Sequence, residues 1–185
     1  MTEYTKRFAQ CTFANFDGQG ELVEYLKSCV ESGFNDNVVL IGGVGLGKTH
    51  LAYAIINALE ETRTIPATNS TTYTSRKAEL TTIKAIIDGI RACWKSNASE
   101  YDYKFISKIK EIPLLIIDEV GVQYGTESER LELFDIFNYR YNQMLPTMVI
   151  SNCNKEQISK ILGQRITDRL FGGAKVFELQ GVSKR

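Results

Sequence analysis

The run Gly42-Gly43-Val44-Gly45-Leu46-Gly47-Lys48-Thr49 constrains this chain more than any other stretch. It fits G-x-x-x-x-G-K-[ST]. It lies between a short apolar run, Val38-Val39-Leu40-Ile41, and a segment in which Leu51, Ala52, Ile55, Ile56 and Leu59 recur at helical spacing. A strand that passes through a glycine-rich loop into a helix aims backbone N–H groups and the helix N-terminus at one point, which is where an anion settles. The glycines allow the φ values and the close approach that such a loop needs. A dinucleotide loop is excluded, because Gly43-x-Gly45-x-x-Lys48 puts lysine where the third glycine of that fingerprint would stand. The expected guest is ATP, with Lys48 bridging its β- and γ-phosphates and the Thr49 hydroxyl on Mg²⁺. His50, the only histidine, is expected to pack beside the loop at the nucleotide.

A second apolar run, Leu114-Leu115-Ile116-Ile117, ends in Asp118-Glu119. Asp118 is expected to hold Mg²⁺ through water, and Glu119 to orient and polarise the attacking water. Transfer to a small molecule does not need the second acid, so Glu119 favours hydrolysis over the alternative of a P-loop small-molecule kinase. Asn152, at the end of the strand-like run Thr147 to Ser151, has the place and chemistry to read the γ-phosphate. Arg165 and Arg169 lie four apart on a predicted helix and share a face that can point at a neighbour.

Between these runs the pattern alternates. Leu22, Val23, Leu26 and Val30 predict a helix ending at Gly33, and Ile83, Ile86, Ile87 and Ile90 predict another before Trp94. Ser70 to Thr74 is a weak strand candidate. Thr126 with Glu129 has capping-box spacing for a helix burying Leu133, Phe134, Phe137 and Tyr141. Asn154 with Gln157 opens one last helix running through Ile158, Ile161, Leu162, Ile166 and Leu170, and Val176 to Leu179 reads as a final strand. Strand and helix in alternation imply an α/β fold with a parallel sheet covered on both faces.

Composition narrows the rest. The length of 185 residues suits one domain, and no stretch approaches the ~18 apolar residues of a membrane span. Cys11, Cys29, Cys93 and Cys153 form no C-x-x-C pair, which points to reduced thiols in a cytoplasm. The net charge is zero, so DNA binding would need a local patch. One exists between Arg76 and Lys110, where eight basic residues face four acids among Trp94, Tyr101, Tyr103 and Phe105. Trp94, Lys95, Lys104 and Lys108 are the expected contacts to single-stranded DNA, through base stacking and phosphate neutralisation.

With these residues in view, the chain resembles AAA+ ATPases of the DnaC/IstB group, which includes replicative helicase loaders of bacteria and phages and transposition helper ATPases. The resemblance runs from Phe13-Ala14-Asn15-Phe16, through Gly42 to Ala52, Ile117-Asp118-Glu119-Val120-Gly121-Val122-Gln123 and Ser151-Asn152, to Gly163-Gln164-Arg165-Ile166-Thr167-Asp168-Arg169-Leu170. It implies a P-loop NTPase of the AAA+ ASCE type with a central five-stranded parallel sheet. In that sheet the strand ending at Asn152 lies between the phosphate-loop strand and the strand ending at Asp118. It makes Arg169 the arginine finger rather than Arg165, makes Arg185 a second nucleotide sensor, and sets Phe13 to Phe16 near the adenine. Residues 1–12 are then a short extension, and 13–185 an ATPase domain with a minimal lid. The implied partners are a replicative hexameric helicase, single-stranded DNA and further copies of the chain when ATP is bound. Loaders of this group carry a helicase-binding region before the domain, and here a dozen residues precede Phe13.

Overall fold

The computed structural model describes residues 8–61, 78–121, 126–181 and 183. In chain order the elements are α1 (Gly20–Ser32), β1 (Val38–Gly42), α2 (Lys48–Glu61), β2 (Ala78–Thr82), α3 (Ile83–Cys93) and α4 (Glu100–Glu111). There follow β3 (Leu114–Val120), α5 (Glu127–Asn142), β4 (Thr147–Ser151), α6 (Lys155–Leu162), α7 (Gln164–Phe171) and β5 (Lys175–Leu179). The strands form one sheet in the order β2-β3-β4-β1-β5, every pair parallel. β4 therefore lies between β1 and β3, as the resemblance implied.

Alternation along the strands divides the core into two layers. Val38, Leu40, Leu114, Ile116, Met148 and Ile150 face α1 and α2, which contribute Leu22, Leu26, Leu51 and Ile55. Val39, Leu115, Ile117 and Val149 face the opposite layer, built from the isoleucines of α3, Ile109 of α4, Leu133 and Phe137 of α5, and the apolar sides of α6 and α7. Because both faces are covered, the central strands carry unbroken apolar runs. Each fully buried aliphatic side chain contributes about 1.5–3 kcal/mol over its exposed state.

Several local signals hold. Thr126–Glu129 and Asn154–Gln157 form reciprocal capping boxes, and α1 stops at Gly33, whose φ of 82° suits glycine. Among the described residues, no helix is long and apolar enough to cross a membrane.

Three expectations need correction or lie elsewhere, and one helix is additional to them. The last helix is two helices, because Gly163 at φ 88° ends α6 and starts α7. Tyr141 is not on the buried side of α5: Ile136 and Arg140 are buried there, and Tyr141 is 53% exposed. α4, which its polar composition concealed, starts with a capping box of Ser99 and Asp102. The edge strand beside β3 is Ala78–Thr82, while Ser70 to Thr74 lies outside the described residues.

Arg140 explains its own burial. Its guanidinium donates to the carbonyls of Ile109, Lys110, Ile112 and Pro146 and to Thr147 Oγ1, so it closes the C-terminal end of α4 against the start of β4. Burial lowers its pKa to about 10, which still leaves it charged at neutral pH.

Candidate functional site

The C-terminal ends of β1, β3 and β4 meet at one edge of the sheet, the place where open α/β sheets bind ligands. Gly42, Gly45 and Gly47 take φ values of 143°, 82° and 83°, so the loop from β1 to α2 needs the freedom of glycine. The approach of other segments is also close. A Cβ on Gly47 would lie 2.6 Å from Phe16 Cε2, and one on Gly45 would lie 2.1 Å from Ser183 Oγ. The N-terminal segment and the C-terminal tail thus both rest on the loop.

Lys48 is 6% exposed, and its Nζ donates to Gly42 O (2.7 Å), Gly43 O (2.6 Å) and Asn152 Oδ1 (2.8 Å). The lysine of α2 is thereby tied to the residue that follows β4. Thr49 Oγ1 donates to Asp118 Oδ2 at 2.6 Å, which joins the start of α2 to β3. Glu119 N donates to Asp118 Oδ1 at 2.7 Å.

The two acids owe their position to a bulge. Ile117 pairs with Val149 and Val120 with Ser151, so β3 has one residue more than β4 in this interval. The inserted residue turns Val120 back into the layer that already holds Ile117 and leaves Asp118 and Glu119 at the strand end. Glu119 has φ 60°, a conformation costing about 1–3 kcal/mol that persists where its surroundings enforce it. Ser151 helps to enforce it by donating from its hydroxyl to Val120 O and accepting from Cys153 N.

A cleft of about 530 Å³ opens over these groups, lined by residues 44–50, Asp118, Glu119, Ser151 and Asn152, with Phe8, Cys11, Asn15, Phe16 and Asp17 on its far wall. That wall is pinned to α2. Asn57 Nδ2 donates to Cys11 O (2.8 Å) and Phe8 O (3.3 Å), the Phe8 ring stacks on Tyr53 with centroids 4.3 Å apart, and His50 Nε2 lies 3.0 Å from Thr12 O. Since a carbonyl only accepts, Nε2 of His50 carries the proton. Phe16 rather than Phe13 reaches the cleft; Phe13 packs against the core. Phe8, Asn57 and Ser183 were not singled out by the sequence, because their partners lie far along the chain and no spacing announces them.

Arg169 lies apart from the cleft, on α7. Its Nε donates to Asn138 Oδ1 at 3.2 Å, and its guanidinium sits 5.0 Å from the Tyr141 ring centroid and 5.8 Å from that of Phe134. Arg165 is exposed. Asp168, beside Arg169, accepts from Gln164 Nε2 at 2.7 Å. Arg185 lies outside the described residues.

The basic segment of α3 and α4 is largely neutralised. Lys84 pairs with Asp88, Arg91 with Glu129 and Asp88, Lys104 with Glu100, Lys108 with Glu79 and Lys110 with Asp135. The Arg91 guanidinium on Glu129 holds that buried carboxyl below the usual carboxylate range. Trp94 is 48% exposed, and Lys95 is exposed and forms no ion pair among the described residues.

A family model described as IstB-like ATP binding protein matches residues 3–185. The replicative helicase loader DnaC of Escherichia coli (strain K12) is 27% identical over 167 residues, which are 86% of this chain and 62% of that protein. The chain thus spans about three fifths of the length of the curated relatives it matches. Among solved structures, that of the DnaC helicase loader superposes with a TM-score of 0.76 at 19% identity, covering 95% of this chain and 99% of that one. The DnaI structure gives 0.72 at 22% identity, covering 97% and 93%. These two likenesses establish a shared fold.

Proposed function

The chain belongs to the IstB-like ATP-binding protein family, in the DnaC/IstB group of AAA+ ATPases, and from that premise we propose that it is a magnesium-dependent ATPase of DNA replication. It acts as a helicase loader or a loader-like switch, in the cytoplasm, with single-stranded DNA and a hexameric helicase as partners. One observation carries the reading: Lys48 on Asn152 and Thr49 on Asp118 join the phosphate loop, the acid end of β3 and the amide after β4 around a single cleft, with Glu119 on its wall.

The donor set fits a magnesium nucleotide. At Gly42, Gly45 and Gly47 a Cβ would collide with Leu179, Ser183 and Phe16, so the loop stays bare backbone, and Thr49 and Asp118 offer the hard oxygens that magnesium takes. Magnesium, when bound, withdraws charge from the β- and γ-phosphate oxygens. Lys48 exchanges the carbonyls of Gly42 and Gly43 for phosphate oxygens. The amides of the loop and the N-terminus of α2 hold the remaining charge. Glu119 orients a water molecule for in-line attack and takes its proton. Asn152 gives Oδ1 to Lys48 and so keeps its Nδ2 as the donor towards the γ-phosphate side.

Val44, Leu46 and His50 complete the nucleotide wall, with the adenine under Phe16. Arg185 serves as the second nucleotide sensor. Arg169 serves ATP held by a second copy. Trp94 and Lys95 are the contacts to single-stranded DNA, while Lys104 and Lys108, expected in the sequence to join them, are held by Glu100 and Glu79.

The test is phosphate release with ATP and magnesium, with and without single-stranded DNA, together with co-elution on a ring helicase. Hydrolysis with helicase co-elution supports a loader. Hydrolysis with a transposase partner in place of the helicase supports the transposition helper. No nucleotide binding at all would sink the reading.

A further inference from the structure

Arg169 is held firmly without being neutralised. Its backbone carbonyl accepts from Asn37 Nδ2 at 2.9 Å, and the same amide donates to Leu170 O at 3.1 Å. Asn37 also accepts from Thr147 N through Oδ1 (2.8 Å) and from Lys175 N through its main-chain oxygen (3.0 Å). It directly precedes β1, so the backbone of the arginine is fastened to the starts of β1, β4 and β5 together.

The side chain is fixed by α5. Asn138 takes Nε, and the rings of Phe134 and Tyr141, on the same stripe of the helix as Asn138, carry the guanidinium plane. Arginine has five N–H donors, and this arrangement uses one. Among the described residues, Nη1 and Nη2 have no hydrogen-bond acceptor and no carboxylate. Arg91 and Arg130 differ, each meeting an acid, and Arg140 spends its donors on carbonyls.

A guanidinium backed by rings and an amide, with its fork edge open, suits two oxygens of one tetrahedral anion. We propose that Asn138 and Tyr141 are positioning residues that hold Arg169 with this edge open, aimed at the γ-phosphate of ATP bound to a second copy of the chain. The inference rests on the reading of Arg169 given above. α5 is the element after β3 in chain order, so the brace stands on the helix next in sequence to the acid pair of the same subunit.

The experiment measures ATP turnover against protein and ATP concentration for the parent, Arg169→Ala, Asn138→Ala, Asn138→Asp, Tyr141→Ala and Tyr141→Phe, with nucleotide affinity and melting temperature for each. Arg169→Ala should lose the turnover that rises with protein concentration. Asn138→Ala and Tyr141→Ala should lower kcat about tenfold, with KM and nucleotide affinity within about twofold, as expected for losing one charge-assisted hydrogen bond or one ring face. Asn138→Asp should lower it at least as far, by neutralising the cation, and Tyr141→Phe should keep parent turnover because the ring face survives.

Arg169→Ala at parent turnover would overturn the finger reading itself. A defective Arg169→Ala beside fully active Asn138 and Tyr141 variants would overturn only the positioning role. Loss of turnover that follows melting temperature or nucleotide affinity, with no rescue by Tyr141→Phe, would also overturn it.

Discussion

Lys48 and Arg169 rest on neutral oxygens, an amide and ring faces, whereas the cations of α3 and α4 meet carboxylates at almost every turn. In sequence, Lys104 and Lys108 look as able to bind phosphate as Lys48 does. The structure separates them by what a phosphate would displace. A phosphate arriving at Lys48 replaces carbonyls with charged oxygens, a gain; one arriving at Lys108 must compete with Glu79. Counting basic residues measures charge, and only the partners tell how much of it is available.

Lys48→Ala should have the largest effect, since it removes a buried cation on which three elements converge. Nucleotide affinity should fall roughly 10³-fold in a titration with magnesium and ATP. Affinity within a few-fold of the parent would erase the contrast between the two regions. Glu119→Gln should keep binding and lower turnover roughly 10²-fold in a phosphate-release assay, because the shape remains and the base is lost.

On the other side of the comparison, Glu129→Gln should cost stability and not binding, lowering the melting temperature by about 2–4 °C. Arg91 lowers the folded pKa of Glu129, so this contribution is complete above the ordinary carboxylate range and is lost as pH falls through the folded value. The melting temperature of the parent should therefore approach that of the variant in acid. A gap that stays constant from neutral pH to below about pH 4 would refute the pairing.

Smaller effects sharpen the boundary. His50→Ala removes the bond to Thr12 O and the ring beside Phe16, and should weaken nucleotide binding about threefold while leaving kcat unchanged. Lys104→Ala with Lys108→Ala should change single-strand affinity less than about twofold, because both lysines already face acids. A tenfold loss with a flatter salt dependence would show that these pairs open for DNA.

What the sequence announced was local in the chain. The phosphate loop, the strand-end acids and the capping boxes depend on residues within a few positions of each other, so spacing alone reveals them. Gly163 escaped notice because the apolar spacing from Ile158 to Leu170 continues across it. Tyr141 reads as a core residue by its spacing, but Arg140 takes the buried position beside it, held by five oxygens from two segments, residues 109–112 and 146–147. β2 is an edge strand of alanine, glutamate, leucine and threonines, without the apolar run of a central one. The braces on Arg169 come from Asn37 and Asn138, 132 and 31 residues away, and no pattern in the chain foreshadows either.

The single tryptophan of the chain stands at the C-cap of α3, half exposed, on the side of the sheet away from α2. Its emission is therefore an optical probe of the junction between α3 and α4, with no aromatic rival of comparable brightness. Because Trp94 does not line the nucleotide cleft, a spectral shift on adding ATP and magnesium would report motion transmitted through the sheet. A shift on adding an oligonucleotide alone would report contact. The native protein thus has a built-in channel for timing the two events in a stopped-flow instrument, without a label.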